Sequence, residues 1–482
     1  MSLAISAIDY INGIKNNTIT AEEFVSKTLE HIKKHEPRLH AFISINESAV
    51  DQARQIDKKI KSGQKVGAFY GMPISVKDNI CVKGGKTTCA SKMLENYISP
   101  YDATVVTRLK DQDAIIIGKT NLDEFAMGVA TEFSAFGPSK NPWNIDYVPG
   151  GSSGGSAVSV AALESVLSLG SDTGGSVRNP GSFCSIVGFK PTYGLISRYG
   201  LVSYANSIEQ IGPMGRRVED VALLLNNISG KDQHDPTTIH NEEQDYLSGI
   251  DTGISGKKIG IIKEMSSGAG LDSTVESVFK NAVSAFEKLG ANVQEISLDM
   301  IQYTVATYYV LTTAEAGSNL SRYDNLRYGY DLDSEGYEFR QYISKARHKF
   351  GAEVTRRMIL GGFVPSAGFA GKYLLKALKV KSKLKKQIQL AFSKFDFLIS
   401  PTVPVLPFKF GEKRDDPLAM YLADINTVTA NLTGIPAVSV PYEVRHGLPV
   451  GIQIHANILQ EKKLLQVAYA LQGTTKLPEV PL

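Results

Sequence analysis

The sequence predicts an α/β fold, one large mixed β-sheet covered by helices on both faces (α/β/α), and three observations predict it. From Pro73 onward, short β-rich runs alternate with helical stretches across Gly-rich joints, the pattern of a sheet with helices packed on it. The 482 residues are 43% apolar and include 43 Gly, enough to bury a large core, which excludes a wholly disordered chain. No Pro/Ser-rich linker divides the α/β part, so one large domain is favoured over the roughly three that length alone suggests.

The elements follow in order. Ile11 to Ile14 has helical spacing, Thr20-Ala-Glu-Glu23 is a capping box opening a helix through His35, and Glu47 to Lys61 reads as a third helix. Residues 1–62 are therefore expected as an N-terminal helical segment packed on the core. Strands are expected at PISVK from Pro73, AIIIG from Ala114 and SVLSLG from Ser165, with an apolar helix from Ala157 to Leu163 before the last of these. The polar stretch KDQHDPTTIHNEEQDYLSG from Lys231 reads as a loop or a subdomain joint. After it come the strand KKIGIIK and a helix with Val275, Val278, Ala282, Phe286 and Leu289 on one face. FDFLIS from Phe395, AVSVPY from Ala437 and VGIQIH from Val450 are the closing strands, and there is no internal repeat.

Composition narrows the function. With 52 basic and 49 acidic residues the net charge is only +3, which gives no general field for attracting a polyanion, so any nucleic acid needs a local patch or a partner. Cys81, Cys89 and Cys184 are too few for a disulfide framework and no Cys/His cluster has zinc-ligand spacing, so a reducing cytoplasm is the expected compartment and no metal is expected. The N-terminus lacks the basic start of a secretory signal. The longest apolar stretch, from Ala157, is too short to span a membrane and is interrupted by Glu164, so no membrane is expected as a partner.

The chemistry is expected in VPGGSSGGSAVSVAALESVLSLGSDTGGSVRNPGSF, Val148 to Phe183, where two Ser-bearing loops flank a helix and a strand. Gly150 to Gly154 lead into the apolar helix, so backbone N–H groups and the positive end of a helix dipole lie near Ser152. In Asp172-Thr-Gly-Gly-Ser176 two glycines allow successive N–H groups to point one way, as an oxyanion hole requires. Gly150-x-Ser152-x-Gly154 matches a nucleophile elbow, which needs a late His; His446 and His455 are the candidates, and no other feature supports them. Asp172-Thr173-Gly174 has no second copy to share a proton, which excludes an aspartic-protease dyad. Gly118-Lys119-Thr120 and Gly85-Lys86-Thr87 lack the upstream glycine of a phosphate loop, since those positions are Asp113 and Ile80.

Without His, a serine needs another base, and Lys serves when burial lowers its pKa. Lys77 is the best placed, at the end of the apolar strand from Pro73, where a ligand crevice of a parallel sheet lies. A solvent-facing Lys77 and helix-capping Ser152 and Ser153 are the competing readings of the same residues.

GMPISVKDN, PGGSSGGSA and SDTGGSVRNPGSF together resemble the amidase signature family, in the family's order and over nearly the whole chain from about Gly71. The resemblance implies an amidase signature catalytic domain over residues 63–482 and a Ser-cisSer-Lys triad: Ser176 the nucleophile, Ser152 the bridge, Lys77 the base. N–H groups of Thr173, Gly174, Gly175 and Ser176 are then expected to hold the oxyanion.

Within the family, NLDEFAMGVATEFSAFGPSKNPWNIDYVPGGSSGGSA and KPTYGLISRYGLVSYANSIEQIGPMGR are most similar to the glutaminase (A) subunits of tRNA-dependent amidotransferases. That similarity implies glutamine as substrate, with Tyr308, Arg357 and Asp424 binding it and Tyr309 and Arg356 as one-residue alternatives in register. It implies a heterotrimer with subunits B and C, misacylated tRNA held mainly by B, no cofactor in this chain, and ATP and Mg on B. Three positions depart from the usual subfamily text: Phe133 stands for Asn, and Asn179 and Gly181 for Gln and Ala. Lys372 to Lys394 has eight lysines and no acid, and reads as a solvated helix face. The rival functions are a stand-alone amidase acting on small amides and a non-catalytic scaffold of a tRNA-modifying complex.

Overall fold

The structure, a computed structural model, describes residues 2–240, 245–268, 270–330, 333, 335–414, 416–476 and 479–481. Its centre is an 11-stranded mixed sheet: β1 (Phe42–Ile45), β2 (Pro73–Lys77), β3 (Ile115–Thr120), β4 (Leu167–Asp172), β5 (Val187–Lys190), β6 (Gln210–Gly215), β7 (Lys258–Ile262), β8 (Asn292–Ile296), β9 (Phe397–Pro401), β10 (Ala437–Arg445) and β11 (Leu448–Ala456). The order across it is β1-β3-β2-β4-β6-β5-β10-β11-β9-β7-β8. β3, β2 and β4 run parallel, as do β9, β7 and β8, and the pairs between these blocks are antiparallel.

The helices are α1 (Ala7–Lys15), α2 (Ala21–Leu39), α3 (Ala49–Lys61), α4 (Thr104–Asp111), α5 (Gly154–Ala161), α6 (Arg178–Phe183), α7 (Val218–Ile228), α8 (Lys263–Ser266), α9 (Ser273–Lys288), α10 (Thr304–Leu320), α11 (Phe339–Arg347), α12 (Ala352–Phe363), α13 (Leu374–Phe392), α14 (Pro417–Leu422), α15 (Val428–Thr433) and α16 (Glu461–Gln472). Strand alternation sends successive side chains to opposite layers. Phe397 and Ile399 of β9 join the main core with Val221 of α7, Phe286 of α9 and Leu464 of α16, whereas Leu398 joins a second core with Leu311 of α10, Leu384 of α13 and Leu432 of α15. On β2 the same alternation puts Ile74 and Val76 in the main core and turns Ser75 and Lys77 toward the α5 side, where Ser75 meets Ser159.

The expected strands all form, with shifted ends. Two N-terminal features differ from expectation. α2 runs through Pro37 to Leu39, because His40 adopts a left-handed cap (φ 52°) and the Glu36 carboxylate accepts the N–H groups of Ala41 and Phe42. β1, only four half-buried residues, then pairs antiparallel with β3 at the sheet edge, too short a run to stand out in the sequence. The two blocks on either side of the polar stretch share one sheet; of that stretch, residues 241–244 lie outside the described residues. Lys376, Lys379, Lys383, Lys385 and Lys386 on α13 are exposed and form no ion pair among the described residues. Cys81, Cys89 and Cys184 are buried free thiols. Among the described residues no helix is long and apolar enough to cross a membrane.

Candidate active site

β2 and β4 are parallel neighbours, with Val76 opposite Leu169, so Lys77 at the end of one lies beside Ser171 near the end of the other. The Lys77 Nζ, fully buried, is 2.8 Å from Ser152 Oγ, 2.8 Å from Ser153 Oγ and 3.0 Å from Ser171 Oγ. The Gly151–Ser152 peptide is cis. Burial disfavours the ammonium and pulls the Lys77 pKa down to about 7, against the opposing charges of Asp123 and Asp172. A buried lysine poised near neutrality is able to act as a base.

The Ser176 loop is built around Asp172. Its carboxylate pairs with Arg178 at 2.9 Å, both side chains being wholly buried, and also accepts the N–H of Gly175 at 2.8 Å and of Val177 at 3.2 Å. Burial alone pushes the Asp172 carboxyl up, but the Arg178 charge and hydrogen bonds hold it at about 2. Arg178 continues across the molecule to Thr427 O at 2.9 Å, Asn431 Oδ1 at 2.7 Å and Gln453 Oε1 at 2.6 Å. Gly175 has φ 132°, and a Cβ there would collide with the Thr427 side chain, so only glycine fits. Ser176 is 7% exposed; its carbonyl accepts the Ser153 N–H at 3.1 Å, and its Oγ makes no hydrogen bond among the described residues. The structure thus joins Lys77 directly to Ser152 and brings Ser176 alongside through the main chain. The Gly175 N–H, expected as an oxyanion donor, is instead committed to Asp172. The N–H groups of Thr173, Gly174 and Ser176 have no hydrogen-bond acceptor among the described residues.

Tyr308 of α10 lies directly over the loop: a Cβ on Gly174 would come within 2.5 to 2.8 Å of the Tyr308 ring and hydroxyl. Arg357 of α12 is buried, bonded to Glu353 Oε1 at 2.7 Å and Tyr204 Oη at 2.6 Å, and its Nη2 has no partner among the described residues. Its guanidinium lies 5.2 Å from the Tyr309 ring centre and 5.5 Å from that of Tyr421. Arg356, the alternative in register, has 41% of its side chain exposed and pairs outward with Glu353. Tyr309 stacks on Tyr421 at 3.7 Å and donates to Asp424 Oδ2 at 3.4 Å, so both tyrosines of the expected pair face this region. Burial raises the buried Asp424 carboxyl to about 8, although the Arg357 charge opposes the rise.

Several contributors had no such role assigned by motif reasoning: Ser153 and Ser171 on Lys77, Asp172 and Arg178 under the Ser176 loop, and Tyr204, Glu353 and Tyr421 around Arg357. The consecutive serines and the Asp-x₅-Arg spacing within SDTGGSVR were the available signals. The rejected motifs have structural explanations. Lys119 Nζ, from one GKT run, pairs with Asp78 at 2.9 Å and meets Lys86 O and Thr87 Oγ1 of the other, both at 3.2 Å. His455 is buried, uncharged, and bonded to neither serine, and His446 sits in the β10–β11 turn. Among the described residues no His, Cys, Asp or Glu cluster could hold a metal ion. Of the departures from the subfamily text, Asn179 is fully buried with neither amide atom partnered among the described residues, and Gly181 packs against the backbone of Gly188.

The family model described as Amidase matches residues 23–465. The chain is 59% identical over 476 residues to a protein of Cenarchaeum symbiosum named as the A subunit of glutamyl-tRNA(Gln) amidotransferase, covering 99% of this chain and 98% of that one. It is 49% identical over 464 residues to the second of the A subunits so named in Clostridium acetobutylicum, covering 96% and 97%. The crystal structure of the glutamyl-tRNA(Gln) amidotransferase A subunit from Thermotoga maritima superposes with a TM-score of 0.81 at 42% identity, over 96% of this chain and 95% of that one. A match of this extent, running through β2, both serine loops and the closing strands, means that this chain belongs to the amidase signature family.

Proposed function

We propose that this chain is the glutaminase subunit of a tRNA-dependent amidotransferase, releasing ammonia from glutamine for the conversion of Glu-tRNA(Gln), and of Asp-tRNA(Asn) where the cell uses that route. The observation that carries the reading is the pairing of a buried cation lacking one partner, Arg357, with a buried acid, Asp424, beside the Ser176 loop. Among the described residues, Glu353 and Tyr204 leave Arg357 Nη2 without an acceptor and the Asp424 carboxyl has only the long bond from Tyr309, so the α-carboxylate and α-ammonium of an amino acid complete both. The names of the relatives at 59% and 49% identity support the same substrate and an assembly of several subunits.

The chemistry follows from the geometry. Neutral Lys77 takes the Ser152 proton, Ser152 takes that of Ser176, and Ser176 Oγ attacks the side-chain carboxamide carbon of glutamine. The relay closes when Ser176 Oγ comes within hydrogen-bond reach of Ser152 Oγ. Charge on the carboxamide oxygen is received by the N–H groups of Thr173, Gly174 and Ser176. The C–N bond breaks as the relay returns a proton to the departing ammonia, and water then cleaves the glutamyl ester on Ser176, regenerating its hydroxyl. The partners in this reading are subunits B and C; B holds the misacylated tRNA and binds ATP and Mg, which activate the tRNA-linked carboxylate. Nothing in the Lys77 relay calls for a cofactor in this chain, and its two GKT runs bond to each other.

The test is ammonia release from glutamine against a panel of simple aryl and aliphatic amides, by the chain alone and with subunits B and C added. Glutamine is expected as the preferred substrate, with a covalent glutamyl adduct on Ser176. Preference for simple amides in every assembly overturns the assignment in favour of a stand-alone amidase, and the absence of any adduct in the complete assembly favours a scaffold.

A further inference from the structure

Three hydroxyls, not one, surround the Lys77 Nζ, and they differ in what else they bond. Ser153 gives its hydrogen to the Ser171 carbonyl at 3.1 Å and so offers lone pairs to Lys77. Ser171 Oγ accepts an N–H from Asn79 Nδ2 at 2.9 Å, which occupies one lone pair and leaves the other for Lys77 at 3.0 Å. Ser152 Oγ has no other partner among the described residues, so it is free to turn from acceptor to donor when Lys77 loses a proton. The three hydroxyls match the three N–H bonds of an ammonium, and the Ser171 carbonyl at 3.4 Å is a longer fourth acceptor. Asn79 is 2% exposed and its Oδ1 has no partner among the described residues, so its donation to Ser171 is the one side-chain bond holding this amide.

We propose that Ser171, oriented by Asn79, is a positioning residue that helps hold the Lys77 ammonium on three hydroxyls and thereby sets the pH at which the relay opens. The inference rests on the assignment of Lys77 as base. Hydrogen bonds to the charged form favour it, and burial opposes it. Ser153 and Ser171 therefore keep the amine from becoming permanently neutral, which would leave it too weak a base to draw a proton from serine. The charged and titratable groups facing Lys77 are Asp123 after β3, Asp172 on β4, Cys89 on the loop after β2 and Glu209 before β6. Neither Ser171→Ala nor Asn79→Asp removes any of them.

The experiment is the pH profile of kcat and kcat/KM for glutamine, in the full chain with its partner subunits, for Ser171→Ala, Ser171→Thr, Asn79→Asp and Lys77→Ala. Removing one acceptor from the ammonium moves the acid limb of Ser171→Ala to lower pH by about one unit, with kcat reduced and KM unchanged. Ser171→Thr keeps a hydroxyl and restores the limb. Asn79→Asp puts a carboxylate near the ammonium and moves the limb to higher pH by about one unit. Limbs unshifted in both Ser171→Ala and Asn79→Asp, with Lys77→Ala inactive, overturn the proposal and leave the triad standing. Full turnover by Lys77→Ala removes the triad and the proposal together. Because Ser171→Thr and Asn79→Asp retain polar groups at both positions, they keep the test usable if Ser171→Ala fails to fold.

Discussion

In the proposed reading, Arg357 and Asp424 are the residues at which substrate choice is decided. As pH rises through about 8, Asp424 in the free site becomes a carboxylate able to meet an ammonium, so the KM for glutamine is expected to fall across that range. In Asp424→Asn that dependence should vanish and KM rise, which steady-state kinetics at several pH values will measure. Arg357→Lys swaps a planar fork for a point charge and should raise KM by about 10- to 100-fold while a simple aryl amide is turned over as before. A KM for glutamine that stays level contradicts the zwitterion site. At this scale the sequence was informative where a motif was long: the runs around Lys77 and Ser152 can be read locally, and the structure brings the two within 2.8 Å. It was uninformative about Glu353, Tyr204 and Tyr421, because these meet Arg357 only through folding of segments far apart in the chain. Gly175 was misjudged for a related reason: whether an N–H in a glycine nest is free depends on a neighbouring carboxylate, and Asp172 occupies this one.

Between residues and the whole lie the helix ends, where backbone donors need partners. The first turn of α2 is satisfied from two directions. Thr20 Oγ1 accepts the Glu23 N–H at 3.2 Å, and Asp57, reaching over from α3, accepts those of Ala21 and Glu22 at 2.9 Å each. Asp57→Ala leaves two donors unpaired and should cost about 1–3 kcal/mol of stability, read from the denaturant midpoint, with kcat for glutamine unchanged. A midpoint equal to that of the unmutated chain contradicts this role. The Thr20 half of the cap was legible as a capping box; Asp57 was not, since a cap supplied by another helix leaves no local spacing to read. Strand cores such as Pro73–Lys77 were legible because apolar β-rich runs survive any context. Their ends moved by a few residues because ladder partners, not propensity, terminate a strand.

The whole sheet has an order that chain sequence conceals: β10 and β11 are inserted between β5 and β9, joining the N-terminal strands to the parallel block of β9, β7 and β8. The α/β class and single sheet were expected from texture, but strand order depends on long-range pairing that periodicity cannot encode. A chain ended after Gly434 lacks both joining strands and is expected to lose the cooperative unfolding transition of the full chain, which circular dichroism in denaturant will detect; a retained single transition contradicts this. The Arg178 bridge has a temporal consequence of the same kind. Its acceptors at Thr427, Asn431 and Gln453 follow it by 249, 253 and 275 residues. A growing polypeptide therefore carries Ser176 well before it carries the clamp that shapes the surrounding loop. A ribosome-stalled chain stopped short of Thr427 is therefore expected to release no ammonia from glutamine.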